Sequence, residues 1–152
     1  MSNTVSTDQG GTFGRVVVGI DGSEPSLRAL RWADRQAMVT GSSLDIVTVW
    51  TFPDHPAPLD IVPKVPWPEE SLAQAQEALD RLVDEVLPQR AKDRVHAHVI
   101  RGDAAQVLIE ESRDADLLVV GSRGRNEFTE LMLGSVSDRC ARHAACPVVI
   151  VR

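Results

Sequence analysis

Long hydrophobic runs are absent from this 152-residue chain, and cysteine is scarce. No run reaches the roughly 18 apolar residues of a membrane span, and no signal-peptide core is present, so we expect neither membrane insertion nor export. The two cysteines, Cys140 and Cys146, lie six residues apart, which fits neither a CxxC redox pair nor a usual metal site. We therefore expect free, buried thiols and a cytoplasmic location.

Excess positive charge is also absent, since the formal net charge is −6. This balance argues against a nucleic-acid partner and gives no reason to expect a membrane partner. A composition of 43% hydrophobic and 25% charged residues is that of an ordinary globular protein, and the length suits one domain. We place this domain at residues 13–152, after a polar tail at residues 1–12 that we expect to be disordered.

Familiar catalytic motifs are missing as well. The chain has no GxxxxGKS/T P-loop, and no GxGxxG follows its first apolar run. Without a P-loop lysine or a recognisable catalytic carboxylate, rapid phosphoryl transfer is not expected. His96 and His98 would share one side of a strand, but the sequence shows no third ligand near them, so we predict no metal site and no catalytic residue.

The residues that are present alternate between short apolar runs and helical patterns. Strands are predicted at 15–20, 44–50, 95–100, 116–120 and 147–151. Helices are predicted from Ser23 to Gly41, from Glu69 to about Leu87, after Asp103, and from about Ser135 to Ala144. The alternation predicts an open parallel α/β sheet with helices on both faces and a ligand site where the strand order reverses. Six of the nine prolines lie between Pro53 and Pro68, which predicts a long surface loop.

A glycine-rich loop follows the fourth predicted strand. It contains Gly121-Ser-Arg-Gly124, and after nine further residues Gly134-Ser135 opens the next helix. Glycine lets a backbone approach a ligand closely, while successive amides and a helix N-terminus favour an anion. Because Arg123 and Arg125 add positive charge, this loop predicts a phosphate site.

The loop after the first strand, Gly19-Ile-Asp21-Gly-Ser23, is the second candidate ligand loop at the same edge of the sheet. Asp21 would contact a ligand there, or it would only form a turn with Gly22. The glycine-rich loop has a structural alternative too, in which its glycines only form turns and Ser135 caps the helix through a capping box with Asp138. The two arginines favour phosphate binding over that alternative.

These motifs resemble the universal stress protein family, and specifically its ATP-binding branch. The resemblance rests on residues 17–23, on residues 121–124 with 134–137, and on residues 143–151, and it extends from about Phe13 to Arg152. It implies ATP as the ligand, with Mg²⁺ as a candidate companion, and the strand order 3-2-1-4-5. It also implies a nucleotide-dependent regulator of the stress response that is not an enzyme beyond, at most, weak ATP hydrolysis.

The resemblance assigns roles to individual residues. Asp21 would lie by the nucleoside, and Ile20 and Val49 would flank the adenine. Residues of the glycine-rich loop and of the helix after it would line the ribose and phosphates. The full candidate set is Gly19, Ile20, Asp21, Val49, Gly121, Ser122, Arg123, Gly124, Arg125, Gly134, Ser135, Val136 and Ser137. Members of the family commonly form homodimers along the last strand, here Val148 to Val151.

Two other functions are compatible with the sequence. A slow ATP hydrolase or transferase would use the same crevice. A dimeric interaction module that has lost nucleotide is the other, because Glu127 and Glu130 occupy a loop in which relatives often have small residues. These carboxylates would repel a triphosphate unless they face solvent or hold a divalent metal.

Overall fold

Short strands and helices alternate along the chain in the computed structural model, which describes residues 14–50, 69–123 and 132–152. Its strands are β1 (Arg15–Gly19), β2 (Ser43–Trp50), β3 (Val95–Arg101), β4 (Leu117–Gly121) and β5 (Val148–Val151). Its helices are α1 (Glu24–Thr40), α2 (Glu69–Val86), α3 (Ala104–Glu111) and α4 (Ser135–His143), with a 3-10 turn at Ser112–Asp114. The predicted alternation is confirmed, and each predicted strand end lies within one residue of the observed one.

Several predictions fall outside the described residues. They concern the tail at 1–12, the proline-rich loop at 53–68, the candidate site residues Gly124 and Arg125, and the acidic residues Glu127 and Glu130.

Local signals set the helix ends that the sequence predicted. Pro25 lies in the first turn of α1, and Gly41 ends that helix in the left-handed conformation, with φ of 69°. Asp103 caps α3, because its carboxylate accepts a hydrogen bond from the Gln106 amide at 2.9 Å.

The described strands form one parallel sheet in the order β3-β2-β1-β4-β5, as the family resemblance implied. β1 is central, with Val17 beside Asp45 of β2 and Leu118 of β4. The chain moves outward from β1 to β3, then returns and moves outward on the other side through β4 and β5. The carboxyl ends of β1 and β4 are therefore neighbours at the reversal of strand order, where doubly wound sheets bind ligands.

Hydrophobic layers cover both faces of the sheet. α1 and α2 pack on one face, where Val18 and Leu30 are fully buried. α3 and α4 pack on the other, around Val17 and Cys140. Neighbouring residues of β1 thus face opposite layers, which explains why this strand is apolar throughout. Cys140 is a buried free thiol as predicted, whereas Cys146 is partly exposed.

The two edges of the sheet differ. At β3, the side-chain amide of Gln76 in α2 donates to the Ala97 carbonyl at 2.9 Å and accepts from the Val99 amide at 3.0 Å. These bonds occupy outward backbone groups that would otherwise be open to another strand. At the opposite edge, β5 pairs with β4 along one side.

Candidate functional site

The loop after β1 is held to the neighbouring strand β2 by hydrogen bonds. The Ile20 amide donates to the Val47 carbonyl at 2.9 Å, which continues the strand pairing beyond Gly19. The Thr48 hydroxyl donates to the Ile20 carbonyl at 3.2 Å. Thr48 was not among the candidate site residues, because a threonine inside an apolar strand gives no local sign of which loop it supports.

Asp21 organises a tight turn at the start of α1. Its carboxylate oxygen Oδ1 accepts the Ser23 amide at 2.9 Å and also accepts the Ser23 hydroxyl. Gly22 between them has φ of 82°, a left-handed conformation that favours glycine. The turn interpretation of Asp21 is confirmed, while a nucleoside contact by this residue stays a prediction. Ser23 occupies the N-cap position, but its side chain bonds to Asp21 and does not cap the helix.

Ser26 links this turn to the body of α1. Its hydroxyl donates to the Ser23 carbonyl at 2.8 Å and accepts from the Asp21 amide at 3.3 Å. The side chain is buried, so water does not compete for these bonds. In the sequence Ser26 is only a serine five residues after Asp21, and serine in a first helical turn usually indicates only capping.

The glycine-rich loop is closed at its base. The Gly134 amide donates to the Ser122 carbonyl at 2.8 Å, although the two residues are twelve positions apart. The Ser137 hydroxyl lies within hydrogen-bonding distance of the Ser122 carbonyl at 3.1 Å and the Gly134 carbonyl at 3.0 Å. The Ser122 amide in turn donates to the Val151 carbonyl at 2.8 Å, which anchors the loop to β5. The spacing between Gly121 and Gly134 is therefore that of a loop whose two ends are joined by hydrogen bonds.

Helix α4 begins at the predicted residue, but its N-cap differs from the capping-box alternative. Gly134 is its N-cap, with extended φ and ψ of −63° and 158°, and Ser135 is the first helical residue. The capping box from Ser135 to Asp138 is therefore not formed, since it would require Ser135 at the N-cap position. The physical reason is the bond from the Gly134 amide to Ser122, which fixes this residue before the helix starts. The Asp138 carboxylate pairs with Arg142 one turn later, at 3.0 Å.

The loops after β1 and β4 meet at the first turn of α1. A Cβ on Gly121 would lie 2.9 Å from the Pro25 carbonyl carbon and 3.0 Å from the Ser26 amide nitrogen. Gly19 is approached from the opposite layer, where its Cβ would lie 2.6 Å from a methyl group of Leu108, a side-chain end that can move aside. Gly121 is thus required by packing against backbone atoms, independently of any ligand.

Other candidate residues are placed less uniformly. Ile20 is buried in the α1/α2 layer, whereas Val49 packs against the α3/α4 layer on the opposite face of the sheet. One planar ring would therefore contact both side chains only if it lay beyond the ends of the strands. Of the two arginines of the glycine-rich loop, the structure describes Arg123. Its side chain is partly exposed, and it follows Ser122 directly in the chain. Ser135 is exposed, and Val136 packs against the α3/α4 layer.

Two further features bear on function. Within residues 14–50, 69–123 and 132–152, no group of three or more histidine, cysteine or acidic side chains is placed to hold a metal ion. His96 and His98 are both exposed on β3, with ring centroids 6.5 Å apart. No helix in the same ranges is long and apolar enough to cross a membrane.

The geometry defines a class of protein. It is a doubly wound α/β domain whose two candidate ligand loops converge at the reversal of strand order. The loop after β4 is closed by hydrogen bonds and is followed by the N-terminus of α4. Anionic ligands suit such an edge, because amides and the helix dipole present partial positive charge there.

The chain belongs to the universal stress protein family, whose sequence model matches residues 12–152. A universal stress protein of Mycolicibacterium smegmatis is 39% identical over 139 residues, covering 90% of this chain and 45% of the relative. One of Mycobacterium tuberculosis is 34% identical over 141 residues, covering 93% and 49%. The chain thus spans about half the length of the curated relatives it matches. A universal stress protein solved in complex with cAMP is 28% identical, with a TM-score of 0.66 over 92% of this chain and 97% of the other.

Proposed function

We propose that the protein binds an adenine nucleotide in the crevice between the loops that follow β1 and β4. The observation that carries this proposal is the closed glycine-rich loop, joined from Ser122 to Gly134, beside the Asp21 turn at the reversal of strand order. The relative solved with cAMP supports an adenine nucleotide as the ligand class. Within this proposal, ATP with Mg²⁺ is the ligand expected for the cell.

The described residues fit such a ligand in their donor groups. The first amides of α4, from Ser135 onward, lie at the positive end of the helix dipole, and Arg123 adds a full charge nearby. Ser137 would act by holding the loop closed, because its hydroxyl is already turned to the Ser122 and Gly134 carbonyls. Asp21, Ile20 and Val49 would define the nucleoside end.

The bound nucleotide would act through conformation or partner binding, as a cytoplasmic regulator of the stress response. Binding rather than catalysis is supported by the donor set, which consists of amides, hydroxyls and arginine without a P-loop lysine. A ligand changes such a protein only through its different affinities for two states, so the loop between Ser122 and Gly134 is the natural element to respond.

We further propose a homodimer in which β5 of one copy pairs with β5 of the other. The β3 edge supports this choice, since Gln76 occupies two of the backbone groups that a second copy would need there, the Ala97 carbonyl and the Val99 amide. Sedimentation equilibrium should give twice the 16.6 kDa chain mass. A monomer at high micromolar concentration would contradict the dimer.

The nucleotide proposal is tested by denaturing freshly purified protein and identifying any released nucleotide by chromatography. The stripped protein is then titrated calorimetrically with ATP, cAMP and GTP, and we expect binding of the adenine nucleotides. No heat of binding with millimolar ATP or cAMP, or equal affinity for GTP, would overturn the proposal.

A charge variant localises the site. Arg123→Gln should weaken ATP binding by about tenfold, the loss expected for one charge-assisted hydrogen bond. Arg113→Gln is the matched control, because it removes the same charge from the exposed turn that precedes β4, at the other end of the strand. Equal losses in the two variants would indicate a general effect of net charge and not a contact in the crevice.

A further inference from the structure

The first turn of α1 lies between the two candidate ligand loops and contacts both. On one side, the Ser26 hydroxyl bonds to the Asp21 amide and the Ser23 carbonyl. On the other, the backbone of Pro25 and Ser26 lies against the Cα of Gly121, with no space for a side chain between them. This turn therefore contacts Asp21, two residues after the end of β1, and Gly121, the last residue of β4.

We infer that this turn couples the two halves of the site, with Ser26 and Gly121 as positioning residues. Ser26 would hold the Asp21 turn in place, and Gly121 would be glycine so that α1 can pack on β4. The inference rests on the proposed nucleotide function for its effect on affinity. The coupling itself belongs to the fold and is measurable without a ligand.

The packing on Gly121 is of a kind that cannot relax locally. The three atoms nearest to its Cβ position are backbone atoms of Pro25 and Ser26, at 2.9 to 3.1 Å. An alanine at Gly121 would therefore push the whole first turn away, and the Asp21 turn would move with it through Ser26. At Gly14 the same substitution meets mainly the end of the Asp116 side chain, at 2.9 Å, which can rotate aside.

The hydrogen bonds of Ser26 give a second and gentler perturbation. Ser26→Ala removes a side chain that is only 4% exposed and leaves the Asp21 amide without that acceptor. Ser112 provides a closely matched control. Its hydroxyl is fully buried, donates to the carbonyl three residues back in Ile109 at 2.6 Å, and accepts from the Ala145 amide at 2.8 Å.

The affinity experiment compares Ser26→Ala with Ser112→Ala by calorimetric titration with ATP and cAMP. Both variants should lower the melting temperature, because each loses the two hydrogen bonds of a buried serine. Only Ser26→Ala should weaken nucleotide binding, by about threefold to tenfold, the range that follows from one hydrogen bond. Ser26→Thr keeps the hydroxyl and should restore most of the affinity.

Hydrogen exchange tests the coupling in the ligand-free protein. In Gly121→Ala, the amides of Asp21 and Leu27 should exchange about tenfold faster, since these amides donate within the displaced turn. In Gly14→Ala their exchange should stay at the wild-type rate.

Each outcome has one meaning. Faster exchange at Asp21 in Gly121→Ala with no nucleotide binding in the wild type would retain the coupling and reject the proposed function. Unchanged exchange at Asp21 would reject the coupling, whatever the wild type binds. Equal losses of affinity in Ser26→Ala and Ser112→Ala would show that Ser26 acts only through stability. If Gly121→Ala does not fold, the exchange of the Gly134 and Ser122 amides in Ser26→Ala decides the question, with acceleration expected.

Discussion

Removing the Ser137 hydroxyl tests whether the glycine-rich loop is held closed as the structure indicates. This hydroxyl is 2% exposed and lies within 3.1 Å of the Ser122 carbonyl and 3.0 Å of the Gly134 carbonyl. Ser137→Ala deletes the donor, but neither acceptor is left unpaired. The Ser122 carbonyl still accepts the Gly134 amide, and the Gly134 carbonyl still accepts the Asp138 amide.

These contacts set the size of the expected effect. Loss of an ordinary hydrogen bond lowers the free energy of unfolding by about 0.5–1.5 kcal/mol. Alanine is a better helix former than serine by about 0.5 kcal/mol, and position 137 is inside α4, so part of the loss is offset. The net destabilisation should be about 0.5–1 kcal/mol, which corresponds to a melting temperature lower by about 2–3 °C.

Urea denaturation followed by circular dichroism measures this difference, with Ser112→Ala as the comparison. Ser112→Ala should cost more, about 2 kcal/mol, because it removes two hydrogen bonds of a fully buried hydroxyl, one to the Ile109 carbonyl and one from the Ala145 amide. A Ser137→Ala loss above about 3 kcal/mol, or a larger loss than that of Ser112→Ala, would falsify the reasoning, since it would mean that the loop carbonyls depend on this hydroxyl alone.

Two more predictions concern the thiols and the sheet edge. Burial raises the pKa of Cys140 to about 11 from 9.0, so at pH 8 iodoacetamide should modify Cys146 and leave Cys140 intact in peptide mass spectra of the native protein. Because the pKa is raised only in the folded state, the contribution of the neutral Cys140 thiol to the free energy of unfolding is complete below pH 9 and is lost as the pH rises towards 11. Cys140→Ala should therefore flatten the fall in the free energy of unfolding between pH 9 and 11. An unchanged slope in this variant would contradict the assignment. Gln76→Ala should expose the β3 edge and produce species larger than the wild-type oligomer in light scattering, whereas Gln106→Ala, which loses only an exposed bond to a glutamate side chain, should not. Identical scattering for both variants would show that Gln76 does not protect the edge.

The strands were accessible from the sequence because their signal is local. In β1, consecutive apolar residues such as Val16, Val17 and Val18 already require cover on both faces, and the structure divides them between two layers. Helix ends were accessible for the same reason, since Asp103 and Gly41 act within one turn of their own position. The order of the strands, in contrast, came from the family resemblance, because no single strand carries information about its neighbours.

The candidate site was accessible only in part. The spacing from Gly121 to Gly134 indicated a ligand loop and the start of α4 at Ser135, but it did not indicate that the Gly134 amide closes this loop on Ser122, nor that Gly134 and not Ser135 is the N-cap. Thr48 and Ser26 were missed altogether, since the groups that they bond become neighbours only when β1, β2 and α1 pack together.

The sequence by itself determined the class of fold, the position of each described strand and helix, and the two loops that we propose as the ligand site. Those features follow from hydrophobic periodicity, capping and glycine spacing, which act over a few residues. Only the tertiary structure decided why Gly121 is a glycine and which side chains hold the Asp21 turn. The reason is physical: the backbone of Pro25 and Ser26, almost a hundred residues earlier in the chain, lies against Gly121 only after the sheet has formed.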